Sequence, residues 1–369
     1  MNESQTHYDS ELLQFLSDRI RLSELRHKFK GNMALVASQL YDLWRSGQLH
    51  VHRDWGNTSQ KNEKILYTNR TCLLPTDWLQ IVKESEHQQS LLIATWNINS
   101  IRSRMPLLLS WLEEHRPDII CLQETKVEDH LFPHQELGLS GYQTVFSGQK
   151  TYNGVAILSR HPIEEVKYGF SNRYDSENKR LIAAKILGIW IINVYVPQGQ
   201  STDSPKFSYK IEFLKELFQE LEQFYDSSVP LLLAGDYNIA PDSRDVSHPE
   251  AMENQVSFHP REHQFLDQIR KWKLEDVFRK FNQEKGHYSW WDFRTMGFEK
   301  DEGMRIDHIW VSPSLMGCCK SCVIDIENRG QPKPSDHAPV LSEFSYQYQP
   351  AGNSRFDINQ NGVKHNGGD

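Results

Sequence analysis

The groups that can do chemistry in this chain sit at the ends of apolar runs. Leu231-Leu232-Leu233-Ala234 passes through Gly235 into Asp236-Tyr237-Asn238, Leu91 to Trp96 ends in Asn97-Ile98-Asn99, and Ile119 to Leu122 leads to Gln123-Glu124. Asp307 adjoins a fourth run and Asp336-His337 a fifth. Asp236 and Asn238 lie two residues apart, as do Asn97 and Asn99, so in extended backbone each pair projects to one side. The set consists of oxygen ligands and hydrogen-bonding groups, with one imidazole and no thiolate. It suits Mg²⁺ or Mn²⁺ better than zinc, because small hard cations prefer carboxylate, amide and water. Clustered carboxylates repel one another, and a divalent cation holds them together at neutral pH. His337, oriented by a carboxylate such as Asp307, can bind or protonate a phosphate oxygen. A single Asp of this kind reads more readily as a turn former or helix cap. Five of these strand ends together imply a scaffold that gathers them.

That scaffold reads as α/β from Leu91 onward. The periodicity predicts strands at Leu91 to Trp96 and Ile119 to Leu122, separated by a helix that Pro106 opens. Short strands at about Gln143 to Phe146, Val155 to Ser159, Ile182 to Ile186 and Trp190 to Val194 are spaced as antiparallel hairpins, so the sheets are mixed. A helix over Phe207 to Phe224 turns Ile211, Leu214, Leu217, Phe218, Leu221 and Phe224 inward. A further helix starts at Pro260, and strands at Ile306 to Val311 and Val340 to Phe344 complete the domain.

Residues 1–75 form a separate module. Leu12, Leu13, Leu16 and Ile20 recur at helical spacing, two more short helices follow up to Arg45, and strand-like pieces at Leu49 to His52 and Ile65 to Tyr67 close it. Three helices followed by a hairpin is the order of a winged helix, which would bind DNA or a protein partner. Residues 76–90 read as a polar linker. The Asn/Gly-rich segment 347–369 lacks the apolar mass to fold and reads as disordered.

Composition sets the outer limits. The 369 residues are 38% hydrophobic and 24% charged, ordinary for a globular protein with a large core. A net charge of −8 excludes a histone-like polycation, so any nucleic-acid contact must use a local basic face. Five cysteines, no leader and no run of about 18 apolar residues imply a reduced, cytoplasmic, nucleoid-associated protein with no membrane partner. Cys319 and Cys322 have the spacing of half a zinc site, with no second pair to complete it.

The motifs also carry a family resemblance. Trp96-Asn97-Ile98-Asn99, Leu122-Gln123-Glu124-Thr125-Lys126, Tyr195-Val196-Pro197-Gln198-Gly199, Gly235-Asp236-Tyr237-Asn238, Tyr288-Ser289-Trp290-Trp291-Asp292, Met304-Arg305-Ile306-Asp307 and Ser335-Asp336-His337-Ala338-Pro339 follow one another in the order of exonuclease III-type AP endonucleases. The resemblance spans about residues 91–345. It implies a four-layered α/β sandwich, two mixed sheets flanked by helices, with the site at one edge. It also implies Mg²⁺-dependent incision of double-stranded DNA 5′ of abasic sites, with trimming of 3′ ends.

By position, Glu124 resembles the principal metal ligand, with Asn99 and Asp336 near the ion. Asp236 or Tyr195 would be the base, with Asn238 beside Asp236. Asn97, Tyr195 and His337 would hold the phosphate, Asp307 would orient His337, and Asp118 would support these groups from behind. Arg102, Lys126 and Gln198 carry over as substrate contacts, and Trp290, Trp291, Met304 and Ile306 as an apolar pocket for an extruded sugar. Two departures stand out: Ser100 where the family usually has glycine, and His308 after Asp307, a possible titratable neighbour of the site. Competing readings are a DNA-binding regulatory protein led by the N-terminal module, and a superfamily phosphatase acting on lipid head groups or inositol phosphates.

Overall fold

The computed structural model describes residues 20–21, 49–53, 64–68, 90–346 and 348. The large domain begins with β4 (Ser90–Asn97), helix α1 (Ile101–His115) and β5 (Ile119–Gln123). It continues through β6 (Gln143–Ser147), β7 (Val155–Ser159), β8 (Ile163–Tyr168), β9 (Leu181–Ile186), β10 (Ile189–Tyr195), α2 (Pro205–Phe224) and β11 (Leu231–Asp236). After α3 (Pro260–Lys271) come β12 (Glu275–Asp276), β13 (Trp290–Trp291), β14 (Gly303–Met304), β15 (Asp307–Val311), β16 (Cys319–Ile324) and β17 (Val340–Ser345).

Two six-stranded mixed sheets result, ordered β16-β17-β4-β5-β7-β6 and β12-β15-β11-β10-β9-β8. Each contains one parallel pair, β4 with β5 and β10 with β11, and the remaining neighbours are antiparallel. The parallel pairs have aligned exits, Asn97 opposite Gln123 and Tyr195 opposite Asp236.

Strand alternation builds the layers. Leu232 and Ala234 of β11 enter the core between the sheets with Ile93, Cys121, Ile191 and Ile309. Leu231 and Leu233 face the other way, onto Phe213, Leu214 and Leu217 of α2 and Phe265 of α3. On the first sheet, Ala94, Trp96, Ile120 and Leu122 pack under Leu108, Trp111 and Leu112 of α1. Both faces of the central strands are therefore buried, and truncating a leucine such as Leu233 to alanine would cost about 2–5 kcal/mol. Near the exits the inward positions turn polar. Gln123 Nε2 donates to Thr95 Oγ1 (2.9 Å) and Asn193 Oδ1 (2.7 Å), and Asn193 Nδ2 donates to the carbonyls of Leu122 and Ala156, locking one sheet onto the other.

Two expectations change, and one strand is added. Helix α1 starts at Ile101, with Pro106 in its interior. The start is set by tertiary hydrogen bonds, Ser100 N to Glu124 O (2.7 Å) and Ile101 N to Thr125 O (3.1 Å), which satisfy amides that a helix leaves unpaired. Phe224 is 44% exposed, because α2 ends there as it leaves the sheet. Strand β8, Ile-Glu-Glu-Val-Lys-Tyr, is an additional edge strand whose charged residues hide it from pattern reading. The cysteines of the half-zinc spacing, Cys319 and Cys322, are buried in the core between the sheets, where burial pushes their thiols up to about 11 and about 12.

N-terminal to β4, three short strands are described: β1 (Ile20–Arg21), β2 (Leu49–Arg53) and β3 (Lys64–Thr68). They form an antiparallel sheet in the order β1-β3-β2. The expected hairpin is present, whereas Ile20, expected in a helix, lies in a strand. The rest of the expected helices, linker 76–90 and tail 347–369 fall outside the described residues, apart from Ser90 and Tyr348.

Candidate active site

The two parallel pairs bring their exits together between the sheets. Asn97 of β4 donates both amide hydrogens, to Glu124 Oε1 (2.8 Å) and to Asp236 Oδ2 (2.9 Å), so one buried amide joins the two carboxylates. Asp236 accepts further from Asn238, through its backbone N at Oδ1 (2.9 Å) and its Nδ2 at Oδ2 (3.2 Å). Asn99 Nδ2 donates to Asp336 Oδ1 (2.8 Å), and Trp290 Nε1 donates to Asp336 Oδ2 (3.1 Å). The Arg180 guanidinium lies 4.6 Å over the Tyr195 ring. Asn99, Ser100, Glu124, Lys126 and Asn238 all adopt positive φ, between 46° and 84°. Non-glycine backbone in the left-handed region costs about 1–3 kcal/mol per residue and persists where surroundings enforce it. Ser100, at φ 84°, thus takes the conformation for which a glycine would be natural.

His337 is buried with Nδ1 2.9 Å from Asp307 Oδ2 and Nε2 3.8 Å from Asp236 Oδ2. Ser289 Oγ donates to Asp307 Oδ2 (2.6 Å), and Trp96 Nε1 donates to the His337 carbonyl (3.1 Å). Burial alone would lower the His337 pKa, but Asp307 and Asp236 outweigh it and push it up to about 10, so the ring is an imidazolium at neutral pH. Asp236 moves up to about 7, first through burial, with His337 opposing and Asp307 adding to the rise. Burial works to raise Glu124 too, yet Lys126 and the Asn97 hydrogen bond hold it below the usual range. Asp336 is likewise held low against burial by His337 and by the Asn99 and Trp290 donors. The Tyr195 hydroxyl rises well above the ordinary tyrosine range through burial and Glu124.

A metal ion fits this edge. Among the described residues, Glu124, Asp236 and His337 place one ligand atom each within 4.8 Å of one another. An imidazolium has no lone pair to offer, which leaves carboxylate and amide oxygens as the donors. Where such a cation would sit, the Lys126 ammonium stands in: its Nζ lies 2.6 Å from Glu124 Oε2 and 2.6 Å from Asn99 Oδ1. Arg104 secures the same turn through the carbonyls of Asn99 and Pro334.

Beside these groups is an apolar wall in which Ile306, Ala240 and Val246 pack with Met304, Trp290, Met252 and Phe258. Trp290 is half-buried and also touches Asp336. Trp291, expected in the same wall, points to the opposite side of two-residue β13 and packs with Tyr288, Ala338 and Phe298. Asp118 precedes β5 and so lies at the strand end remote from Glu124, binding Leu92 N (2.8 Å) and His161 Nε2 (3.2 Å). It does not support the catalytic edge. His308 alternates away from Asp307 and stacks on Tyr237 at 4.8 Å. Burial and Arg305 drop its pKa to about 3, so it is neutral and adds no titrating group to the site. Arg102 is exposed on the first turn of α1. Gln198 is exposed as well, its Oε1 accepting from Gln200 N (2.6 Å). Lys126 orders the acidic groups. Ser289, Arg104, Trp96 and Arg180 also brace the site; Ser289 and Trp96 lie inside the motifs, but no spacing rule marks a side chain whose role is to brace another.

A mixed-sheet sandwich with this edge constellation defines a class, and the profile of the Endonuclease/Exonuclease/phosphatase family matches residues 94–337; the chain belongs to that family. Its catalytic domain is of the exodeoxyribonuclease III and AP endonuclease type. Exodeoxyribonuclease III of Haemophilus influenzae is 37% identical over 262 residues, covering 68% of this chain and 98% of the relative. An AP endonuclease structure from Archaeoglobus fulgidus superposes with a TM-score of 0.67 at 40% identity, covering 69% of this chain and 100% of the other. A 3′ phosphatase from Neisseria, solved with a product DNA hairpin, gives a TM-score of 0.67 at 38% identity over 69% of this chain and 100% of its own.

Proposed function

We propose that this enzyme hydrolyses DNA phosphodiesters with Mg²⁺, incising duplex DNA 5′ of abasic sites and trimming 3′ ends. The observation that carries the reading is the convergence of Asp236, Glu124 and the Asp307-braced His337 beside an apolar wall.

In this reading Glu124, with Asn99 and Asp336, would hold the ion, which stabilises negative charge on the phosphate oxygens and leaving oxygen when bound. Asp236 is the base. Its raised pKa suits proton transfer near pH 7, and Asn97 and Asn238 hold both of its oxygens in place. Tyr195 acts as a donor, since a hydroxyl shifted upward keeps its proton. Water attacks phosphorus as its proton passes to Asp236 and the bond to the 3′ oxygen breaks; that oxygen takes a proton from solvent, leaving a 3′-hydroxyl and a 5′-phosphate on the abasic sugar. His337 stays protonated and stabilises the charge growing on a phosphoryl oxygen; removing one such donor typically costs about 3–4 kcal/mol.

Trp290, Met304 and Ile306 offer a wall for a sugar without its base, and a missing base lowers the cost of unstacking. The relationship to a Neisseria 3′ phosphatase supports a second activity, removal of a 3′ phosphate at the same site. Domain limits of 1–75, 76–90 and 91–346 follow the composition, and the order β1-β3-β2 supports a winged-helix-like module that engages DNA or protein near the nucleoid.

The test is a duplex carrying one abasic analogue, incubated with and without EDTA. A single nick 5′ of the analogue that chelation abolishes is expected. No nick, or a nick that survives EDTA, would overturn the reading.

A further inference from the structure

The hydrolytic steps above leave a fully buried Lys-Glu charge pair unused. Lys210 of α2 and Glu262 of α3 form an ion pair, and both side chains have 0% exposure. Lysine and glutamate are almost never buried to this extent without a paired role. The ammonium has three hydrogens and three acceptors: the Glu262 carboxylate, the Asn238 carbonyl at 2.7 Å and the Gln198 carbonyl at 3.3 Å. Glu262 is saturated in turn by the backbone amides of Ser257 (3.1 Å) and His259 (2.9 Å).

Stability does not account for this arrangement, because replacing a buried ion pair by apolar side chains of similar volume is often neutral or stabilising. What the pair touches does account for it. Asn238 is in the left-handed region at φ 50°, the conformation in which its backbone N reaches Asp236 Oδ1 and its Nδ2 reaches the Val196 carbonyl at 3.0 Å. The Asn238 carbonyl is therefore the far end of the peptide geometry that aims Asp236. Gln198 belongs to the loop that leaves Tyr195. Gly199, next along at φ 100°, lies so close to the lysine stem that a Cβ there would come within 3.3 Å of Lys210 Cδ.

We propose that Lys210 is a positioning residue, whose buried ammonium ties the loop after Tyr195 to the loop after Asp236 and sets the geometry in which water is activated. The proposal rests on the hydrolytic reading, and Lys210 touches no reacting atom. Removing the tie lets both loops relax, so turnover falls while DNA, held elsewhere, still binds.

The test uses the full chain. In the double variant Lys210→Met with Glu262→Met, no buried charge is left unpaired. Expected are a folded protein, kcat lowered about tenfold or more, and KM for abasic duplex within about threefold of wild type. Hydrogen exchange should accelerate in peptides covering 195–200 and 235–240, and Lys210→Arg, which keeps charge and donors, should recover most of kcat. If the double variant does not fold, Lys210→Gln with Glu262→Gln, which also leaves no charge unpaired, carries the same expectations. A folded variant with kcat within about threefold of wild type, or with unchanged exchange in both loops, overturns the proposal. Exchange is read without substrate. If the wild-type protein nicks no DNA, the hydrolytic reading has failed and the loop tie is judged on exchange alone.

Discussion

Asp236 and His337 face each other at 3.8 Å, and their opposite protonation demands give the site its working range. In the proposed mechanism Asp236 must be ionised to take a proton, so kcat should rise with pH through about 7. His337 must stay charged, so kcat should fall as pH rises through about 10. A divalent cation beside Glu124 favours the ionised carboxylate and moves the acid limb lower. Asp307 is the largest contributor raising the His337 pKa. Asp307→Asn should therefore bring the alkaline limb down towards neutrality; a profile of kcat against pH whose alkaline limb stays in place would remove Asp307 from this role. Asp236→Asn keeps the shape and removes the proposed base. Turnover on abasic duplex should drop at least about a hundredfold while the Kd measured by DNA titration changes little. Near-normal turnover would hand the role of base to another group.

At the scale of elements, the site depends on where strands stop and which way their last residues turn. Each sheet needs its parallel pair, because only parallel neighbours deliver two exits, Asn97 with Gln123 and Tyr195 with Asp236, to one edge. The Thr95, Gln123 and Asn193 hydrogen bonds hold the sheets in register below it. Strand β13 shows how alternation divides labour within two residues: Trp290 borders the site and Trp291 is core, 3% exposed. Trp291→Ala should therefore lose about 3–5 kcal/mol in a denaturant melt. Trp290→Ala should cost less stability and instead impair abasic-duplex cleavage, since it removes both the wall and a hydrogen bond to Asp336. Equal stability losses from the two would contradict this division.

For the whole molecule, the sandwich is what makes distant stretches neighbours: Asn99 and Asp336 lie more than two hundred positions apart in sequence, yet Asn99 Nδ2 donates to Asp336 Oδ1 at 2.8 Å. A net charge of −8 makes any hold on DNA a matter of local surface. Deleting residues 1–89 should leave kcat for abasic-duplex nicking unchanged, weaken DNA affinity and flatten the dependence of log K on log salt. Unchanged affinity and salt slope, measured by titration at several salt concentrations, would assign the module to a partner other than DNA.

Much of this was legible along the chain. The runs at Leu231 to Ala234 and Ile119 to Leu122 are apolar at every position because both faces of a central strand are buried, so the strands and the acids at their ends could be read directly. The charged edge strand β8 and the interior Pro106 could not, because neighbouring elements stabilise them. Nor could the orientation of individual side chains: Asp118 lies at the wrong end of its strand, Trp291 and His308 on the wrong face, while Ser289 and Lys210 act only on groups far away in sequence. Residue type and periodicity carried the chemistry and the layers, since those depend on burial and spacing within a segment. Which groups meet, and with what charge, was decided by the tertiary structure, since electrostatics and hydrogen bonding act across space between strands that the sequence lists far apart.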